Sequence, residues 1–156
     1  MSTFTGRFHS FTISREQLDE LGHANFNELK KLFEFVRHRF CKDLKFGRTS
    51  LRLNRGIGFF MIEDSYKYLK ELKAGDTVFF IINPLIEGKT RLTITLKVVR
   101  VGGQVQGSTE LTNEVNYRMV MMDLKTRHPV PIPREIIDSI AQFNIVQSQL
   151  LTASPA

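Results

Sequence analysis

Between residues 26 and 40, the apolar side chains Phe26, Leu29, Leu32, Phe33, Val36 and Phe40 recur at steps of three and four. Lys30, Lys31, Glu34, Arg37 and His38 fall between them. This spacing lines up one apolar stripe on a helix, wide enough to be packed against something flat, most simply a sheet. The start is well specified. Asn25 is a good N-cap, Glu28 three residues later completes a capping box, and Ala24 and Leu29 can form a weak hydrophobic staple. The end is expected near Phe46 and Gly47, where the glycine is a natural stop.

Elsewhere the period falls to two. Residues 7–13, "RFHSFTI", roughly alternate and read as a first strand, followed by the polar stretch "SREQLDELGH". After the helix and a basic loop come "GIGFFMIEDSYKYL", which alternates loosely, and "DTVFFIIN", short and rich in strand formers. "NPLIEGKT" reads as a hairpin connection into "TRLTITLKVVRV", whose clean alternation over Leu92, Ile94, Leu96 and Val98 leaves one face wet. "GGQVQG" makes the next turn and "EVNYRMVMMDL" the last long strand. A tail with three prolines leaves the sheet and is expected to end as a short helix from Pro133. The order is strand, long helix, then four strands joined in series by hairpin-like links. It specifies an α+β domain, an antiparallel sheet meeting one central helix. A single domain covers residues 1–156, with a core over about 7–140 and a tail helix over about 133–150.

Composition narrows the class. The 156 residues are 42% apolar with thirteen Phe spread along them, enough for a real core. No apolar run approaches the ~20 residues of a membrane helix. The first residues lack the pattern of a signal peptide. Cys41 is the single cysteine, so no internal disulfide or CxxC metal site is available. A cytoplasmic protein fits these features. The excess of 22 Lys+Arg over 16 Asp+Glu suits an anionic partner, although only Arg48, Arg52 and Arg55 form a dense group.

Candidate chemistry gathers before the helix. Its N-terminus presents free N–H groups and the positive end of the dipole, a setting for a carbonyl that becomes an oxyanion. Asp19 lies six residues before the cap, on a loop that Gly22 can bend back over the helix start. There a carboxylate could activate water or attack directly. The plain alternative is a solvated loop acid beside Glu16 and Glu20. His23 lacks further ligands at metal spacing and reads as a positioning residue; no metal is expected. Cys41 and His38 share one helix turn, which is not how a catalytic dyad is held. No phosphate loop, GxSxG or HExxH motif occurs. "GFFMI" is too apolar for a nucleic-acid-binding sheet, so no nucleic acid is expected as partner.

"DELGHANFNELKKLFEFVR" resembles the D-x-x-G-H-x-N-N-x-x-Y-x-x-x-F-E-x-x-R stretch of hotdog-fold acyl-CoA thioesterases, the 4-hydroxybenzoyl-CoA thioesterase-like group. Asp19, Gly22, His23, Asn25, Phe33, Glu34 and Arg37 fall in register. "YLKELKAGD" is similar to the family's Y-x-x-P-L-x-x-G-D, with Glu71 where proline is usual, and "MMDLKTRHPVPIPREI" resembles its closing strand and exit. Phe26 stands where a second asparagine is usual and Leu29 where a tyrosine is, which makes the site more apolar.

The resemblance implies a sheet wrapped around one long helix, with two such units pairing edge to edge as a homodimer or homotetramer and active sites at the interface. It implies that Asp19 is the catalytic carboxylate and that the backbone N–H near Phe26 polarises the thioester carbonyl. His23 and Asn25 would shape the loop and cap together with Gly22. Glu63 and Ser65 would reach the site from the second subunit. The substrate would be an acyl-CoA, its phosphates met by Lys and Arg, with coenzyme A entering only as part of the substrate and no separate cofactor. Two other classes stay open: a hotdog protein that binds an acyl group without hydrolysis, and an acyl-carrier-protein thioesterase.

Overall fold

The computed structural model describes residues 10–14, 25–44, 55–102 and 109–153. Strand β1 (Ser10–Thr12) is followed by helix α1 (Phe26–Asp43), strands β2 (Ile57–Tyr68), β3 (Thr77–Glu87), β4 (Arg91–Val101) and β5 (Thr109–Asp123), and helix α2 (Arg134–Ala153). The strands make one antiparallel sheet in the order β1-β3-β4-β5-β2. Its inner face carries the fully buried Val78, Phe80, Ile82, Leu92, Ile94, Leu96, Val98, Val115 and Tyr117. They share one core with Leu29, Phe33, Val36 and Phe40 of α1, the stripe read from the helical spacing.

The expected series of hairpins is corrected at β2. This strand pairs with β5 at the far edge of the sheet, so residues 69–76 cross over the ends of β5 and β4 to reach β3. The crossing is held at every step. Leu69 and Lys70 donate N–H bonds to the Thr112 carbonyl at 2.8 and 3.1 Å, and Arg100 Nη1 donates to the Glu71 carbonyl at 3.0 Å. Leu72, 2% exposed, closes the end of the core. Gly75, at φ 88°, turns the chain so that its N–H reaches the Ile13 carbonyl at 2.8 Å. Asp76 then accepts from the Lys73 N–H at 2.8 Å and pairs with Arg100 at 3.3 Å. The stretch that resembles Y-x-x-P-L-x-x-G-D is therefore a strap across the sheet.

Three boundaries also move. Helix α1 stops at Asp43, where the Leu44 N–H bonds the Phe40 carbonyl at 3.1 Å; the anticipated stop at Gly47 lies outside the described residues. Strand β3 does not end before "NPLIEGKT" but continues through Asn83, Pro84 and Leu85 to Glu87, and the turn waits for Gly88 at φ 63°. Finally, the tail helix runs to Ala153, a few residues past its expected end near 150. With 20 residues, α2 buries Ile136, Ile140 and Phe143, the last packing on Phe40 with ring centroids 4.9 Å apart.

Candidate functional site

Asn25 caps the start of α1 as expected, but the capping box is only half made: among the described residues the Glu28 carboxylate does not return to the Asn25 N–H. Asn25 Oδ1 accepts from the N–H groups of Asn27 at 2.8 Å and Glu28 at 3.4 Å, and its carbonyl accepts from Leu29 at 2.9 Å. The Glu28 carboxylate pairs with Lys31 at 3.0 Å. The N–H of Phe26, the first helical residue, is left without an acceptor among the described residues. It points out of the positive end of an 18-residue helix.

Beyond that amide, α1 lays a row of side chains along β2. The Phe26 ring packs on Tyr68 at 5.1 Å, and Lys30 Nζ lies 4.9 Å from the Phe26 centroid and 4.7 Å from that of Tyr66. Phe33 stacks on Tyr66 at 6.3 Å. One turn further, Glu34 makes a close ion pair with Arg37, whose guanidinium lies 5.0 Å from the Tyr117 ring. The Tyr66 hydroxyl donates across long hydrogen bonds to Glu34 Oε1 at 3.3 Å or Asp64 Oδ2 at 3.4 Å. Burial, with the Glu34 and Asp64 charges adding to it, pushes the Tyr66 phenol up to about 12. Tyr117 is raised further, again chiefly by burial. At neutral pH both phenols keep their protons, so Tyr66 acts here as a donor to carboxylates, not as a base.

A bulge decides which residues of β2 join this row. Met61 pairs with Met119 but Glu63 with Arg118, so Ile62 is an extra residue that reverses the alternation. Asp64, Tyr66 and Tyr68 consequently share the α1 side. Glu63 and Ser65 lie on the outer face, Glu63 paired with Arg118 at 3.2 Å and Ser65 opposite Asn116.

Of the residues singled out from sequence, the structure thus brings Asn25 and Phe26 together and keeps Glu63 and Ser65 of the same chain on the other face. Asp19, Gly22 and His23 lie outside the described residues. The sequence reading missed Lys30, Asp64, Tyr66 and Tyr117; the adjacent apolar pair Met61 and Ile62 was its only trace of the bulge. His38 approaches Glu34 at 3.7 Å, and burial pushes the Cys41 thiol up to about 12, against the pull of Arg37. No thiolate is therefore set up at neutral pH.

Known proteins share this architecture. The thioesterase-like superfamily matches residues 14–141. No curated protein matches the sequence. Among solved structures, a hypothetical protein of Staphylococcus aureus in complex with CoA superposes with a TM-score of 0.78 at 22% identity, over 94% of this chain and 88% of that one. A 1,4-dihydroxy-2-naphthoyl-CoA thioesterase from Synechocystis gives a TM-score of 0.73 at 13% identity, over 89% of this chain and 98% of that one. A hexameric broad-specificity acyl-coenzyme A thioesterase gives 0.66 at 14% identity, over 92% and 97%. The match over most of the chain, together with a curled antiparallel sheet holding α1, means that the chain belongs to the thioesterase-like superfamily and has the hotdog fold.

Proposed function

We propose that this protein is an acyl-CoA thioesterase that hydrolyses the thioester to a free carboxylic acid and coenzyme A. The observation that carries this reading is the Phe26 N–H, which has no acceptor among the described residues, at the positive end of α1 beside an apolar wall of Phe26 and Tyr68. A thioester carbonyl accepting that bond is polarised, and the charge that develops on its oxygen meets the helix dipole. Asp19, six residues before the cap, supplies the carboxylate, as base on water or as nucleophile. Gly22, His23 and Asn25 shape the loop and cap. Lys and Arg side chains receive the phosphates of the coenzyme A moiety, and no further cofactor enters.

Two copies pair through β2, as a homodimer or within a homotetramer; Glu63 and Ser65 face away from the α1 side of the sheet, so in this pairing they line the outer face of the interface and not the Phe26 site. No helix among the described residues is long and apolar enough to cross a membrane, and we assign the protein to the cytoplasm.

The test is a hydrolysis panel of acyl-CoAs with the Asp19→Asn variant beside the wild type. The wild type is expected to turn over at least one acyl class, and Asp19→Asn to lower kcat by ~10²- to 10⁴-fold. An unchanged rate in the variant sinks the mechanism. The half-exposed Phe26 ring, where the family usually has asparagine, favours a second reading: acyl binding without hydrolysis. Retention of acyl-CoA by a wild type that cleaves none of the panel selects it. Faster cleavage of carrier-protein thioesters than of CoA thioesters selects a biosynthetic thioesterase.

A further inference from the structure

Two carboxamides are fully buried among the described residues, and they are treated differently. Gln147 is matched at both ends, accepting from the Ile82 N–H at 3.3 Å and donating to the Ile82 carbonyl at 2.7 Å. Asn113, 1% exposed, has no hydrogen-bond partner at either Oδ1 or Nδ2. A buried amide with both ends empty costs free energy that an apolar residue at the same place would avoid.

The backbone around Asn113 is firmly set. Val98 pairs with Asn113 and Val99 with Leu111, so Thr112 is the extra residue of a bulge. The Thr112 hydroxyl donates to the Val98 carbonyl at 3.2 Å, and its carbonyl accepts from Leu69 and Lys70. The bulge turns Asn113 to the α1 side of the sheet, between the fully buried Val98 on β4 and the partly exposed Tyr68 on β2. Tyr68 is the residue whose ring packs on Phe26. The empty carboxamide therefore lies one strand over from the ring that packs on Phe26, the residue whose amide has no acceptor among the described residues.

We propose that Asn113 is a specificity-determining residue that binds a hydroxyl group on the acyl chain of the substrate. A hydroxyl both donates and accepts, so one such group fills Oδ1 and Nδ2 together, whereas a carbonyl or an ammonium fills only one. A site built around a buried hydrogen bond discriminates against an analogue that lacks the matching group, because its own polar atoms are then left bare. The assignment rests on the thioesterase reading for the position of the thioester at Phe26, and it names the class of acyl group: hydroxylated.

The experiment compares straight-chain saturated acyl-CoAs with counterparts of equal carbon count carrying one hydroxyl, moved along the chain, for wild type, Asn113→Leu and Asn113→Ala. In parallel, calorimetry measures binding of the corresponding free acids. The wild type is expected to prefer one hydroxylated isomer by about tenfold or more in kcat/KM, and both variants to abolish that ratio. Thermal unfolding of Asn113→Leu should be no lower than that of the wild type, since leucine suits the apolar surroundings. Turnover without preference for any hydroxylated acyl group, or a preference that survives in both variants, overturns the proposal and leaves the thioesterase reading standing. Asn113-dependent binding of a hydroxy acid by a protein that cleaves no thioester upholds the proposal and removes the enzymatic one.

Discussion

Asn25 accepts from the first amides of α1 selectively: it takes Asn27 and Glu28, and the Phe26 amide has no acceptor among the described residues. The cap itself was legible from local spacing, whereas a role for the Phe26 amide came only from the resemblance to the family. Further along the row the Tyr66 phenol is a protonated donor, and the Cys41 thiol on α1 also keeps its proton. The free Cys thiol titrates at 9.0 and the free Tyr phenol at 10.0, and burial moves both Cys41 and Tyr66 up to about 12. The folded state therefore holds these protons when the unfolded chain has lost them. Their contribution to stability is complete below 9.0 and is lost as pH rises toward about 12. Urea midpoints should fall steadily through that window, and less steeply in Cys41→Ala; equal slopes would contradict this account. Asp64, Tyr66 and Asn113 were not legible, because each owes its facing to a one-residue bulge, at Ile62 or Thr112. A bulge reverses the alternation that a sequence reading extends unchanged.

Among the elements, α1 and the alternating part of β4 were plain from periodicity, while the far half of β3 was hidden by Pro84. The structure shows why a proline is accepted there. The N–H and C=O of Ile82 face α2, where Gln147 takes both, and the Pro84 carbonyl faces the same way, accepting from Asn144 Nδ2 at 3.3 Å. The missing N–H of Pro84 thus falls on the side away from β4, and no ladder bond is lost. Among the described residues β1 pairs with Thr77, Val78 and Phe79, and three residues further along β3 Gln147 takes both main-chain groups of Ile82 as a neighbouring strand would. Gln147→Leu should lower unfolding free energy by about 2 kcal/mol, since it strands the buried N–H and C=O of Ile82. It should also increase aggregation, by uncovering a strand edge. Chemical denaturation and light scattering read the two effects; a neutral result in both would mean that α2 covers this edge by packing alone.

At the scale of the whole molecule, α2 packs along β3 at one side of the sheet, and among the described residues β2 is the open edge, 12 residues long. Its exposed apolar residues, Met61, Ile62 and Tyr68, continue into Leu69 just beyond it. Pairing two copies antiparallel about Ser65 sets Met61 against Leu69, Ile62 against Tyr68 and Glu63 against Lys67, each pair occurring twice by symmetry. Every exposed apolar residue of this stretch then meets another, and both helices stay on the same side of a continuous sheet. The Phe26–Tyr68 wall of each copy would adjoin Ile62 of the other, so the acyl site would be complete only in the pair. Lys67→Glu turns two attractive contacts into two repulsive ones. That amounts to roughly 1–2 kcal/mol, about tenfold in the dimer dissociation constant. Adding Glu63→Lys restores opposite charges across the interface and should recover association despite the loss of the exposed pair with Arg118. Sedimentation of the wild type, the single and the double variant decides the register. Recovery in the double variant supports pairing about Ser65, whereas equal association in all three rules it out.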